Sequence, residues 1–174
     1  METIDQAVAF IRTYIEKEYD TEVAHYTERD DSVFKAKLTE LNKMYAAGLT
    51  SEIYRPKGVP ESRFKRWQKQ LEQTQKRVLF QVKKYNHPDH ESLYRFYLSS
   101  TQLGDDTYFT CFYLANTENG LKIVSQYNVS SDQGNGISWN WRGGLKLDKL
   151  GELVEVRQFQ TPTDPEHLKE YEAE

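Results

Sequence analysis

Apolar residues recur at helical spacing in the first third of the chain and at alternate positions through its middle. Ile4, Ala7, Val8, Ile11, Tyr14 and Ile15 form one stripe at a 3.6-residue period, with Arg12, Glu16 and Lys17 facing away. The spacing predicts a helix over 4–19, opened by Thr3 and Gln6 in capping-box order. A second helix is predicted over 32–47, with Phe34, Leu38, Leu41 and Tyr45 as its stripe. Asp30, Asp31 and Ser32 offer caps and favourable charge at its N-terminus, and Gly48 suits the left-handed position after its end. Residues 49–60 hold two prolines and a glycine and read as a connector. A third helix is predicted over 61–75, with Phe64, Trp67 and Leu71 inward and Arg63, Lys65, Arg66 and Lys69 outward.

From residue 77 the period changes to two. Val78, Phe80 and Val82 alternate over 77–85, and Tyr94, Phe96 and Leu98 over 92–101, around a turn at 86–89. Gly104, Asp105 and Asp106 read as the next turn. Residues 107–115 are apolar or aromatic at both parities, which marks a central strand buried on both faces. Asn119 and Gly120 are the strongest hairpin signal, since both tolerate positive φ. Leu121, Ile123 and Tyr127 align in a strand over 121–129, and 130–136 is polar and glycine-bearing. Strands over 137–142 and 153–159 complete the pattern. The expected fold class is α+β: one domain, 1–174, with N-terminal helices packed on a curved antiparallel β-sheet.

Composition adds bounds rather than chemistry. A chain of 174 residues buries enough surface to fold without staples. The single cysteine, Cys111, falls in the central strand and reads as a core residue. The sequence contains no stretch long and apolar enough for a membrane span and no basic leader before an apolar segment, so no membrane partner is expected and cytoplasmic is the default location. Net charge is −4, unevenly spread: residues 55–84 carry ten Lys or Arg against two Glu, a net +8, and the rest carries 13 basic and 25 acidic residues, a net −12. The acidic remainder opposes binding of a nucleic-acid polyanion by the basic segment, whose simplest role is a solvated helix face.

No catalytic, metal or cofactor set emerges. His87, Asp89 and His90 are metal-ligand types, but Pro88 sets them on a turn and no further ligand is evident, so a polar hairpin turn is expected. There is no phosphate-binding glycine loop and no nucleophile elbow. His25 beside Tyr26 is expected in an inter-helix contact. The densest group able to act at a surface is Trp139, Asn140, Trp141 and Arg142. Two Trp at the same parity beside Arg142 have hot-spot composition, and Trp139, Trp141 and Arg142 are the candidate partner-binding residues. The competing role for both rings is closure of the open end of the sheet.

Helices followed by an antiparallel meander over roughly residues 3–160 resemble the cystatin-like or NTF2-like fold, and the small acidic chain with the tail LGELVEVRQFQTPTDPEHLKEY is similar in flavour to NTF2-fold immunity proteins of bacterial polymorphic-toxin systems. That resemblance implies a non-catalytic module that binds a protein, such as a cognate toxin, and it carries no shared catalytic residues; the expectation therefore leans against an enzyme. The alternative is a small-molecule binder or enzyme using an aromatic-lined cavity of the sheet, which requires a perturbed Asp, Glu or His inside. Oligomeric state is left open, with a homodimer compatible.

Overall fold

The computed structural model describes residues 3–99, 107–132, 136–142 and 150–160, with side chains at 107–108, 128–132 and 136–142 outside the description. Three helices, α1 (Ile4–Thr27), α2 (Asp31–Asn42) and α3 (Glu61–Gln73), precede six strands. The strands are β1 (Leu79–His87), β2 (His90–Ser99), β3 (Thr107–Thr117), β4 (Gly120–Asp132), β5 (Gly136–Arg142) and β6 (Glu152–Gln158). They form one sheet in the order β5-β4-β3-β2-β1-β6, with every strand pair antiparallel. The fold is α+β.

α1 begins as expected. The Thr3 hydroxyl accepts the Gln6 amide at 3.3 Å, and the Gln6 side chain accepts the Thr3 amide at 2.7 Å. The helix runs eight residues beyond the predicted end, because the buried stripe continues through Glu18, Thr21 and Ala24. α2 stops earlier than predicted, at Asn42. The backbone just after it is taken by the sheet: Ala46 N–H donates to Ile123 O at 2.8 Å, and Ile123 N–H donates to Met44 O at 2.9 Å. Tertiary pairing overrides helical propensity there. Gly48 does hold the left-handed conformation, φ +86°.

Both faces of the sheet are buried at its centre. On the α1 face, Ile4, Ala7, Ile11, Tyr14 and Ile15 meet Val82, Tyr94, Phe96, Leu98, Phe112, Leu114 and Ile123. Phe112 stacks on Phe96, centroids 4.9 Å apart, and receives the edge of Tyr14 at 5.6 Å. Losing such a ring to alanine costs about 3–5 kcal/mol. On the other face, Phe80, Tyr85, Leu93, Tyr97, Phe109, Cys111, Tyr113 and Tyr127 form a second cluster. Two-sided burial of β3 accounts for its apolar run at both parities.

Arg55, counted above in the basic segment, is a staple. Its guanidinium donates to Asp31 Oδ1 (3.1 Å from Nε) and to Glu28 O, and it lies over the Phe34 and Phe64 rings at 5.0 and 5.3 Å. It ties the end of α1 to α2 and α3. Arg29 and Glu61 add an exposed two-pronged pair at 2.7 Å for each contact.

Candidate functional site

One buried polar group lies between α1 and the sheet. The stripe that carries Ile11 and Tyr14 carries Glu18 and Glu22 one and two turns later. Glu18 is buried and Glu22 half-buried, and a carboxylate taken out of water needs partners. Tyr14 donates to Glu18 Oε2 at 2.7 Å and lies 2.6 Å, hydroxyl to hydroxyl, from Tyr45. Arg77, just ahead of β1, places Nε 2.8 Å from Glu18 Oε1. That contact is an ion pair rather than an aligned hydrogen bond, and among the described residues Arg77 Nε and Nη1 are buried without a hydrogen-bond acceptor. Gln126 on β4 is buried on this same face, and its Oε1 has no donor among the described residues.

These groups line a partly open cavity of about 110 Å³, completed by Ser51, Glu52 and Ile53 from the α2–α3 connector. At about 30 Å³ per water it has room for three or four waters or a molecule of that size. The electrostatics inside are strained. Burial, then the nearby Glu18 charge, pushes the Glu22 carboxyl up to about 7, with Arg77 opposing. Burial, then Glu18, raises the Tyr14 hydroxyl well above its ordinary value, so it stays a donor at physiological pH. One helical turn from Glu22, His25 sits outside the cavity among Tyr26, Phe34 and Trp67, with ring centroids 4.7–5.7 Å away. Burial, then Arg55, lowers it to about 4. Its inter-helix setting is the one expected from sequence.

The sequence-predicted site is only partly visible. β5 pairs with β4 at one edge of the sheet, with Trp139 opposite Val129 and Trp141 opposite Tyr127. That register puts positions 139 and 141 on the Tyr127 face and 142 on the other. The side chains of Trp139, Trp141 and Arg142 lie outside the described residues, as do Gly104, Asp105 and Asp106. His87 and His90 do pack, rings 5.2 Å apart, across the β1–β2 turn, where the Asp89 amide donates to His87 Nδ1 at 3.0 Å. Among the described residues, no three His, Cys, Asp or Glu side chains are grouped to hold a metal. Cys111 is fully buried, and burial raises its thiol, opposed by Arg95, whose Nε donates to Sγ at 3.2 Å. That setting suits packing, not nucleophilic attack.

Glu18, Glu22 and Arg77 were not picked out by sequence reasoning. Their signal was a polar residue recurring on an apolar stripe: position 18 follows 4, 7, 11 and 14 at helical spacing. Position 18 falls inside the predicted helix, and position 22 falls beyond its predicted end. At the far edge of the sheet, Leu153, Val154, Val156 and Phe159 on or beside β6 are 47, 50, 43 and 39% exposed. Among the described residues, no helix is long and apolar enough to cross a membrane. No family model, curated protein or solved structure matches the chain.

Proposed function

We propose that the protein binds a small polar ligand in the cavity between α1 and the sheet. The observation that carries this reading is a cavity lined by Glu22, whose carboxyl is raised to about 7, with Arg77 Nη1 and Gln126 Oε1, a donor and an acceptor that have no hydrogen-bond partner among the described residues. A concave site with convergent polar atoms and a perturbed carboxyl is where ligand chemistry concentrates. It also supplies what the enzyme-or-binder alternative required, although polar groups and two tyrosines, rather than a run of aromatic rings, line the space. The ligand that fits offers an ammonium or amide N–H to Glu22 and Gln126 and an acceptor to Arg77. Helices ahead of an antiparallel meander, with the cavity between them, suit an NTF2-like arrangement.

Thermal melting with millimolar glycine, methylammonium or acetamide tests the reading. A fitting probe at a hundredfold excess over its Kd stabilises by about 2.7 kcal/mol, which for a chain of this size is roughly 5–10 °C. Gln126→Leu should abolish the shift while leaving the unliganded protein folded. No shift with any of the three probes, at pH 6 and pH 8, would reduce the cavity to a hydrated structural network.

A second reading keeps the protein-binding module, such as an immunity protein that blocks a toxin. The observation favouring it is the concentration of exposed apolar side chains at the β6 edge. Co-expression with the product of an adjoining gene tests it. Stable copurification, lost in a β6 variant such as Val156→Lys, supports it; failure to copurify removes the toxin partner.

A further inference from the structure

β6 ends the sheet with its outer edge open among the described residues. Its inner edge pairs with β1 in the register Gln81–Gln158, Val82–Arg157 and Lys83–Val156, and Phe159 N–H donates to Phe80 O at 2.9 Å. In an antiparallel ladder a residue turns both backbone groups to the same neighbour, and alternate residues turn to opposite sides. Phe159 and Arg157 therefore spend theirs on β1, and Gln158 and Val156 turn theirs outward. An apolar edge with outward amides and carbonyls is a template for another strand.

We propose that this edge pairs with β6 of a second copy of the chain, antiparallel, about a two-fold axis through Val156. The inference concerns the surface of the protein-binding reading, names its occupant, and is independent of the cavity. The register follows from backbone and charge together. A two-fold between residues would set an outward-turned residue against an inward-turned one, so the axis passes through a residue. Through Glu155 it opposes Glu155 to itself. Through Arg157 it opposes Arg157 to itself. Through Val156 it sets Glu155 against Arg157 of the second copy, twice, with Val156 against Val156 between them. Those opposite-charge positions fall at non-hydrogen-bonded sites, where side chains come closest. Leu153 and Phe159 flank the pair.

Arg157 can serve both contacts. Its Nη1 holds Asp5 at 2.7 Å and its Nε lies 3.3 Å from Glu155 of its own chain, which leaves guanidinium donors over. The strand is bulged where the register shifts between Lys84 and Tyr85, opposite 153–155, so regular pairing is confined to its second half. A short ladder predicts a reversible, concentration-dependent dimer.

Sedimentation equilibrium of the full chain, over about two decades of concentration around 10 µM, is the test. The mass should climb from 20.5 kDa toward twice that value. Glu155→Lys should weaken the dimer by about tenfold or more, since it brings two like-charge pairs across the ladder. Arg157→Glu should do the same. The double variant Glu155→Lys/Arg157→Glu restores opposite charges and should recover the wild-type Kd to within about threefold. Circular dichroism melting checks that each variant folds, because Arg157→Glu also loses Asp5. A monomer at every concentration, or a dimer indifferent to the charge reversals, overturns the proposal. A monomer that still copurifies with an adjoining-gene product through β6 sinks self-pairing and leaves the protein-binding reading standing.

Discussion

Glu22 and His25 lie three residues apart on α1 and titrate in opposite senses. Glu22 has its folded value raised from 4.5 to about 7. The native state therefore holds a proton that the unfolded chain releases, and this contribution is full below about pH 4.5 and lost as pH rises through 7. The shift of roughly 2.5 units sets a ceiling on the order of 3 kcal/mol. His25 is lowered from 6.5 to about 4, so its contribution is present above 6.5 and lost as pH falls through 4. Between about pH 4.5 and 6.5 the two slopes oppose, and their sum is nearly flat. Glu22→Gln should match wild type near pH 4.5 and exceed its stability at pH 8 by about 1–3 kcal/mol. His25→Phe, compared with wild type, should lose the acid-side fall and expose the Glu22 slope. Urea unfolding at half-unit pH steps reads both; a Glu22→Gln difference that does not grow with pH would show the carboxyl to be solvated. Neither group was legible as perturbed in sequence. Residue identity gives the stripe, but the shifts come from burial and from charges set beside each group by the fold, Glu18 and Arg77 at Glu22 and Arg55 at His25.

At the scale of elements, the meander was legible because alternation and turn chemistry agree. β1 to β4 are four consecutive antiparallel strands, as the pattern over 77–129 predicts. The hairpin at Asn119 and Gly120 forms with a different centre. Thr117 pairs with Gly120, the turn lies on Glu118 and Asn119, and Gly120 alone has positive φ, +89°. A left-handed glycine at the end of the turn marks a form other than the one with two positive-φ residues, and Thr117 stabilises it by donating its hydroxyl to Gly120 O at 2.8 Å. The place of β6 beside β1 was not legible, since local pattern cannot say which edge a last strand returns to. One glycine makes that return possible. Gly151 has φ +89°, and a Cβ there would sit 1.9 Å from the Asn86 carbonyl oxygen. Gly151→Ala should cost at least about 2 kcal/mol or free β6 from β1. Chemical denaturation read beside amide exchange at Arg157 separates these outcomes, and a variant matching wild type in both would remove the close approach as a constraint.

The whole molecule is a graded structure: two buried clusters share the central strands, and protection falls toward the edges. β2 and β3 are covered on both faces, with Tyr94, Phe96, Leu98 and Phe112 on one side and Leu93, Tyr97 and Cys111 on the other. Opening them exposes both clusters, so their amides should exchange only through global unfolding. β6 is held by β1, by the Asp5–Arg157 pair and by the side-chain bond between Gln81 and Gln158 at 2.8 Å, and its apolar residues stay open to solvent. Its amides should exchange by local opening, orders of magnitude faster. The outward-turned amides of Val156 and Gln158 separate two states of the molecule. In a monomer they are free to exchange at every concentration. In a two-fold β6 pair they slow as concentration rises, while Phe159, already bonded to β1, responds less. Hydrogen–deuterium exchange at about 5 and 200 µM, resolved to single residues, reads that difference; the prediction is a slowing at 156 and 158 that tracks the dimer fraction, since protection scales with the population of the closed form. Equal exchange at both concentrations in a sample that sediments as a dimer would place the dimer contact elsewhere, and the β5 edge with Trp139 and Trp141 would become the surface to test.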